Sequence, residues 1–410
     1  MTTRQVPYRL LAAVLVHLLA FFLSACAGLP KPVKPEPPAI PVPYEPPEGL
    51  PWINAYPARW YADSQAACSI TFDDGTLDQY LIAAPELDSR GIKGTFFIIT
   101  GPRAEGVWQD GNLYRQLFNW DQTRDLHNRG HEIASHTANH MDLKAQPHLA
   151  ETEIGKAYDS LRQELSMAYP FSLGWPYWRS SAVANEQARR FHYAARAGGI
   201  QGSSGSPGLG GANGKVLDDY MMIGSRAILS TDTMTKLTPV FDEVHANGGW
   251  LVPSFHGIDD GLVPAMALGW EALPLDTFRN LLDGLAGYGF WFAPFGEVAR
   301  YAMQRDELKL EILRDGTRPR VRYSSRLDPS IFDHDLTLVI ELPLAYHLDS
   351  VVDEESGELL SFQPDGQALA RRYLVELPPG DGILLIQPYQ ESLRAACISG
   401  VLEGYGAYQP

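Results

Sequence analysis

The sequence predicts a mainly parallel α/β fold with helices outside the sheet, open or closed into a barrel, followed by a small all-β domain. Two observations carry that prediction. Between residues 67 and 304, short apolar runs that read as strands alternate with amphipathic runs that read as helices, the pattern of repeated βα units. Beyond Asp306 the helical periodicity stops, and short strand-like runs separated by Asp-Gly and Ser-Gly turns replace it. With 410 residues, 45% of them hydrophobic and 20% charged, the chain is long enough for two or three globular units.

The N-terminus is read as a targeting segment. Arg4 and Arg9 flank an apolar run at 10–23 that is short for a membrane span. It ends in Leu23-Ser24-Ala25-Cys26, which resembles the lipobox of bacterial lipoproteins, where cleavage precedes a cysteine that becomes lipidated. The alternative is an ordinary secretory signal cleaved after Ala25, with Cys26 a free thiol. Residues 1–25 are therefore expected to be a lipoprotein signal peptide, and 26–51 the lipidated cysteine and its linker. Ten prolines between 30 and 51 make that linker a semi-rigid spacer of roughly 70 Å at most. It would hold a folded domain off a membrane in which Cys26 is anchored. The expected location is the bacterial cell envelope, on the periplasmic or cell-surface face, and Ala27 is compatible with outer-membrane sorting.

Residues 52–305 form the expected α/β domain. Strands are expected at 67–72, 94–100, 131–134, 168–171, 250–256 and 290–293. The helices between them are expected at 77–90, 120–128, 149–165, 181–197, 235–246, 275–285 and 296–304. The 149–165 run places Leu149, Ile154, Ala157, Leu161 and Leu165 on one helical face. Residues 202–214 are a Gly- and Ser-rich loop. Residues 306–410 form the β domain, expected to be sandwich-like, with strands at 308–313, 321–323, 336–342, 350–352, 373–377 and 382–387. Whether Cys68 and Cys397 pair is left open, because Cys68 lies in an apolar run where buried thiols are common.

The formal net charge of −16 argues against nucleic acid as a partner and against charge-driven binding to anionic lipid. A neutral or locally cationic substrate fits better.

Three stretches carry chemistry. Arg129-Gly130-His131-Glu132-Ile133-Ala134-Ser135-His136-Thr137-Ala138-Asn139-His140 places His136 and His140 four apart, which on a helical turn offers a divalent metal two nitrogens. By spacing alone a pair of capping or exposed histidines is an equal alternative. In Ser69-Ile70-Thr71-Phe72-Asp73-Asp74-Gly75 an apolar strand runs into adjacent carboxylates, a position where α/β folds build sites. Such a pair can divide its labour, one ligating a metal and the other taking a proton. Val252-Pro253-Ser254-Phe255-His256-Gly257 is another strand that ends in a histidine.

Together these stretches resemble the polysaccharide deacetylases, a family of metal-dependent carbohydrate esterases with a NodB-like domain. Thr71-Phe72-Asp73-Asp74-Gly75 matches the first motif and Gly130 to His140 the second, with its His-Ser/Thr-x-x-His core. Ala168-Tyr169-Pro170-Phe171 resembles the third, and 251–256 the last. The resemblance spans roughly 67–301. It implies a distorted (β/α) barrel and a mononuclear zinc, or a similar divalent ion, held by Asp74, His136 and His140. It also implies Asp73 as general base, His256 as general acid, and the backbone N–H of Tyr169 as oxyanion donor. The substrate would be an acetylated polysaccharide, N-deacetylated if of N-acetylglucosamine type. An O-acetyl (xylan-type) esterase is the alternative bond, and a non-catalytic glycan-binding lipoprotein the alternative class.

One departure stands out. Many family members place an arginine just before the proline of the third motif, where it orients the catalytic aspartate. Met167 and Ala168 occupy that neighbourhood here, and Arg226 is the candidate substitute. Trp175-Pro176-Tyr177-Trp178 adds three rings, suited to stacking on sugar or to packing. His131 and Glu132 alternate along a strand and cannot both face the site, so neither receives a catalytic role.

Overall fold

The structure is a computed structural model that describes residues 52–198, 212–213, 217, 219–314, 318–365 and 370–390. The expected signal peptide, Cys26, the expected proline-rich linker, most of the 202–214 loop and Cys397 lie outside the described residues. Cys68 is buried and free.

Seven strands build the α/β sheet: β1 (Thr71–Asp74), β2 (Thr95–Ile98), β3 (Glu132–Ser135), β4 (Ser172–Gly174), β5 (Ala194–Arg196), β6 (Arg226–Ala227) and β7 (Pro253–Phe255). Their order is β6-β7-β1-β2-β3-β4-β5, and every pairing is parallel. Between the two edge strands, Arg196 and Ile223 form a parallel bridge in which Ala197 N–H donates to Ile223 O at 2.7 Å. The sheet thus curls back on itself as a distorted barrel, and the C-terminal ends of all seven strands point to one rim.

Alternation along the strands divides the core. In β2, Phe96 packs outward with Phe72, Ile133 and the helix residues Leu161, Leu237 and Leu281. Phe97 packs on the other side with Ala134, Ala194, Trp250 and Phe295. The covering helices present the stripes this requires. Leu275–Ala286 buries Phe278, Leu281, Leu282 and Leu285, and Ala150–Leu165 buries Ile154, Ala157, Leu161 and Leu165. Trp120–Asn128 starts with a capping box between Asn119 and Gln122.

Several expected elements shift. The 67–72 strand divides: Ala67–Cys68 pairs in parallel with Trp250–Leu251 and Trp291–Phe292 in a second small sheet, while Thr71–Asp74 enters the barrel. The 77–90 helix is a π-helical turn at Gln79–Ala83 followed by Ala84–Asp88. The strand expected at 168–171 lies at Ser172–Gly174. The helix expected at 181–197 ends at Ala188, and Ala194–Arg196 is strand β5. A hairpin at Val107–Asp110 and Leu113–Gln116 follows β2.

After the last barrel helix, Phe295–Glu307, two four-stranded antiparallel sheets form the β region. One contains Lys309–Leu313, Arg320–Ser324, Gly382–Gln390 and Tyr346–Asp353. The other contains Asn54–Pro57, Leu336–Leu342, Arg371–Leu377 and Phe362–Asp365. Val321, Leu384 and Ile386 of the first share one apolar cluster with Leu338, Ile340 and Val375 of the second, which also includes barrel residues. Asn54–Pro57 precedes the barrel in sequence yet supplies an edge strand here.

Candidate active site and metal centre

The rim at the strand C-termini collects the polar residues. Asp73 and Asp74 end β1, His136 follows β3, His256 follows β7 and Arg196 ends β5. All of these are buried to 9% exposure or less. Such a rim is where parallel barrels place their chemistry.

His136 and His140 face Asp74. Their Nε2 atoms lie 3.6 and 3.5 Å from Asp74 Oδ1, and the three ligand-capable atoms fall within 4.8 Å of one another. His136 Nδ1 is 2.7 Å from the carbonyl of Gly174. A carbonyl only accepts, so the proton sits on Nδ1 and the Nε2 lone pair points toward Asp74. Burial pushes the His136 imidazole down to about 3, against the pull of Asp73, which keeps it neutral. Tetrahedral ligands about 2.0–2.1 Å from an ion stand roughly 3.3–3.4 Å apart, close to the spacing found. Two imidazole nitrogens and a carboxylate therefore fit a divalent metal ion, which Asp74, His136 and His140 could hold.

The backbone supports this arrangement under strain. Asp74, Thr137, His140, Tyr177 and Trp178 all have φ between 56° and 72° although none is glycine. Left-handed non-glycine residues cost on the order of 1 kcal/mol or more and cluster where a site imposes them. Behind Asp74, the fully buried Arg103 donates to the carbonyls of Asp74 (3.1 Å) and Ile99 (3.0 Å), locking the turn from the rear. Burial lowers its guanidinium to about 9, with Asp74 opposing the shift.

Asp73 is gripped by Arg196. Arg196 Nη2 donates to Asp73 Oδ1 at 2.8 Å and to Oδ2 at 2.7 Å, while Nη1 donates to Ser254 Oγ at 2.9 Å and Ser225 Oγ at 3.2 Å. Burial alone would push the Asp73 carboxyl up, but Arg196 and the neighbouring imidazoles outweigh it and hold it below the ordinary carboxylate range. His256 Nε2 lies 3.6 Å from Asp73 Oδ2, and burial lowers this imidazole against the opposing pull of Asp73.

Two expected residues lie elsewhere. Arg226 does not reach Asp73; it pairs with Asp232 at 3.3 Å and donates to the carbonyl of Ala227. Arg196 takes that place, for a steric reason. A side chain at Gly174 would stand 2.8 Å from Phe97 Cγ and 3.1 Å from Arg196 Nη2, so the bare glycine leaves room for the guanidinium. Tyr169 precedes β4, at the opposite end of the strands, and is 43% exposed. The Pro-Tyr pair at the rim is Pro176-Tyr177, directly after β4, and Tyr177 lines the cavity. His131 is scaffold: its Nδ1 accepts from Gly94 N at 3.1 Å and its Nε2 lies 3.3 Å from Asp88. Glu132 accepts from Thr95 Oγ1 and Gly296 N, both at 2.8 Å, at the N-terminal end of the sheet.

Over these groups lies a cavity of about 310 Å³, lined by Asp73, Asp74, His136, His140 and His256 and by Trp108, Tyr177, Trp178 and Trp270. Trp108 and Trp270 come from segments whose role the sequence did not reveal.

Residues 61–195 match the family model for polysaccharide deacetylase. That stretch is similar to a polysaccharide deacetylase domain. Over 359 residues, 82% of the chain, it is 23% identical to a gellan lyase of Bacillus sp. Over 113 residues it is 29% identical to YxkH of Bacillus subtilis (strain 168), named as a polysaccharide deacetylase. The matches span 13% and 37% of those two relatives' lengths. A Mycobacterium smegmatis structure described as a polysaccharide deacetylase is 16% identical, with a TM-score of 0.42, over 61% of this chain and 94% of that one. The matched stretch contains Asp73, Asp74, His136, His140 and Tyr177, and it ends just before Arg196. Arg196 and His256 reach the same rim from beyond it.

Proposed function

We propose that the chain is a divalent-metal-dependent hydrolase that removes N-acetyl groups from an N-acetylglucosamine-type polysaccharide. One observation carries this reading: an ionised carboxylate and an imidazole, Asp73 and His256, stand 3.6 Å apart beside an Asp-His-His ligand set. Pure binding needs no such acid–base pair.

Asp74, His136 and His140 would hold a zinc-type ion, which would supply Lewis acidity at the acetyl group. Asp73, kept ionised by Arg196, takes a proton from the attacking water. The developing oxyanion is met by the backbone N–H of Tyr177, which inherits the role expected of Tyr169. His256 gives a proton to the departing nitrogen. An amine leaves poorly without one, so an N-deacetylase depends on this imidazole more than an O-esterase does. Water and amide become acetate and free amine.

The deciding experiment measures acetate release by the purified protein from chitin oligosaccharides and from acetylated xylan. Release from the first, abolished by Asp73→Asn and by chelation, is expected. Release from xylan alone would assign the O-esterase, and binding without release would assign a glycan-binding protein. The proposal extends to location, with Cys26 as a lipidated anchor in the cell envelope. Cys26→Ser would then release the protein from the membrane fraction, and an unchanged distribution would reject the anchor.

A further inference from the structure

Two pairs of rings pack on two histidines of the rim. His140 is met by Trp108 at 5.0 Å and Tyr177 at 4.6 Å between ring centroids. His256 is met by Trp178 at 5.3 Å and Trp270 at 5.0 Å. One member of each pair comes from the same turn. Tyr177 and Trp178 both have φ of 56°, and these neighbours pack on different histidines of the site.

The other member of each pair is brought in from afar. Trp108 lies on the hairpin of Val107–Asp110 and Leu113–Gln116, and Trp270 on the segment between β7 and the Leu275–Ala286 helix. These two segments are fastened together, because Arg115 Nη1 donates to the carbonyl of Leu268 at 2.6 Å. Asp78 fixes the second segment by accepting from Ile258 N at 2.6 Å and Gly269 N at 3.2 Å. Gly269 in turn is packed so closely on the His256 carbonyl that a side chain there would overlap it. Trp270 is therefore held in place rather than loosely draped.

The enclosed space decides what fits. About 310 Å³ is at the small end of ligand pockets, which run roughly 300–1,000 Å³, and suits a single sugar ring with its acyl group. Four of its nine lining residues are Trp or Tyr, and apart from the carboxylates and imidazoles of the chemistry the lining is indole and phenol. A pyranose presents apolar C–H faces and a polar rim, so it matches ring-lined walls around a polar floor.

Resting on the deacetylase reading above, we infer that Trp108 and Trp270 are specificity-determining residues that form the two walls of a one-sugar subsite. They grip the acetylated pyranose by its C–H surfaces, so the site recognises the sugar as well as the acetyl group.

The test compares wild type with Trp108→Ala, Trp270→Ala and the two Trp→Phe variants on a chitin oligosaccharide, with metal content measured in each. Each Ala variant is expected to raise KM about tenfold, the effect of losing one stacking contact, with kcat within about twofold. The Phe variants should recover most of that loss. Unchanged KM in both Ala variants, with wild-type acetate release intact, overturns the subsite and leaves the deacetylase reading standing. A fall in kcat with loss of bound metal from Trp108→Ala overturns it as well, assigning that ring to holding His140. No acetate release by wild type from any acetylated glycan overturns the functional reading, and the subsite with it.

Discussion

Arg196 Nη2 holds both carboxylate oxygens of Asp73, at 2.8 and 2.7 Å, in a site where neither side chain is more than 3% exposed. The pair sets the protonation state of the proposed base. Without the guanidinium, burial is left to push the Asp73 carboxyl up. Arg196→Lys is expected to lower kcat on the order of a hundredfold and to move the acid limb of the pH–rate profile to higher pH. Arg196→Ala does the same and also destabilises the fold by roughly 3–5 kcal/mol, since it strands a buried charge. Arg226→Ala should leave the profile in place, because Arg226 pairs with Asp232. A pH profile that moves with Arg226 and not with Arg196 would reverse the assignment.

The difference between these two arginines shows what the sequence could carry. Asp73, Asp74, His136, His140 and His256 are legible because each stands at or just past the end of an apolar strand, within a dense local motif. Arg196 ends a three-residue strand, Ala194-Ala195-Arg196, whose small residues continue the composition of the preceding helix. Without a β-branched or aromatic residue to mark the strand, periodicity ran the helix through it and hid the arginine. The mistaken Tyr169 has a related cause. Tyr169-Pro170 and Pro176-Tyr177 flank β4, and only the position of that strand says which pair reaches the rim. The turn-rich β region was readable from its local signals. The pairing of Asn54–Pro57 with Leu336–Leu342 was not, because the partner strand lies some 280 residues away.

Metal binding has a direct measurement. The Asp74, His136 and His140 set is expected to hold one divalent ion per chain, measured by elemental analysis of purified protein. His136→Ala and His140→Ala should lose it, whereas Asp73→Asn should keep it while losing acetate release. Because a ligand bound only by the folded state adds stability, chelation should lower the melting temperature of wild type and leave His136→Ala unmoved. Equal shifts in both would place the ion elsewhere.

Gly174 offers a steric test of the arginine exchange. A methyl group there would approach Phe97 and Arg196, and the carbonyl of the same residue accepts from His136. Gly174→Ala is expected to cost about 1–3 kcal/mol of stability through overpacking and to depress kcat by displacing Arg196. Thermal melts and acetate release measure the two effects. A variant with wild-type melting and wild-type kcat would show that the space beside Arg196 is not limiting.

The last prediction concerns acid stability away from the rim. His192 is 2% exposed, its Nδ1 lies 2.9 Å from the carbonyl of Pro170, and burial lowers its imidazole to about 4. Unfolded histidine titrates near 6.5, so between about 6.5 and 4 the unfolded chain binds a proton that the folded chain refuses. Stability from this group is therefore complete above about pH 6.5 and is lost as the pH falls toward 4. The full loss is on the order of 3 kcal/mol. His192→Gln cannot titrate, so it should be destabilised relative to wild type at pH 7 and much less so at pH 4.5. Urea unfolding at the two pH values measures the difference. An equal gap at both would mean that His192 contributes by packing alone and that its proton plays no part.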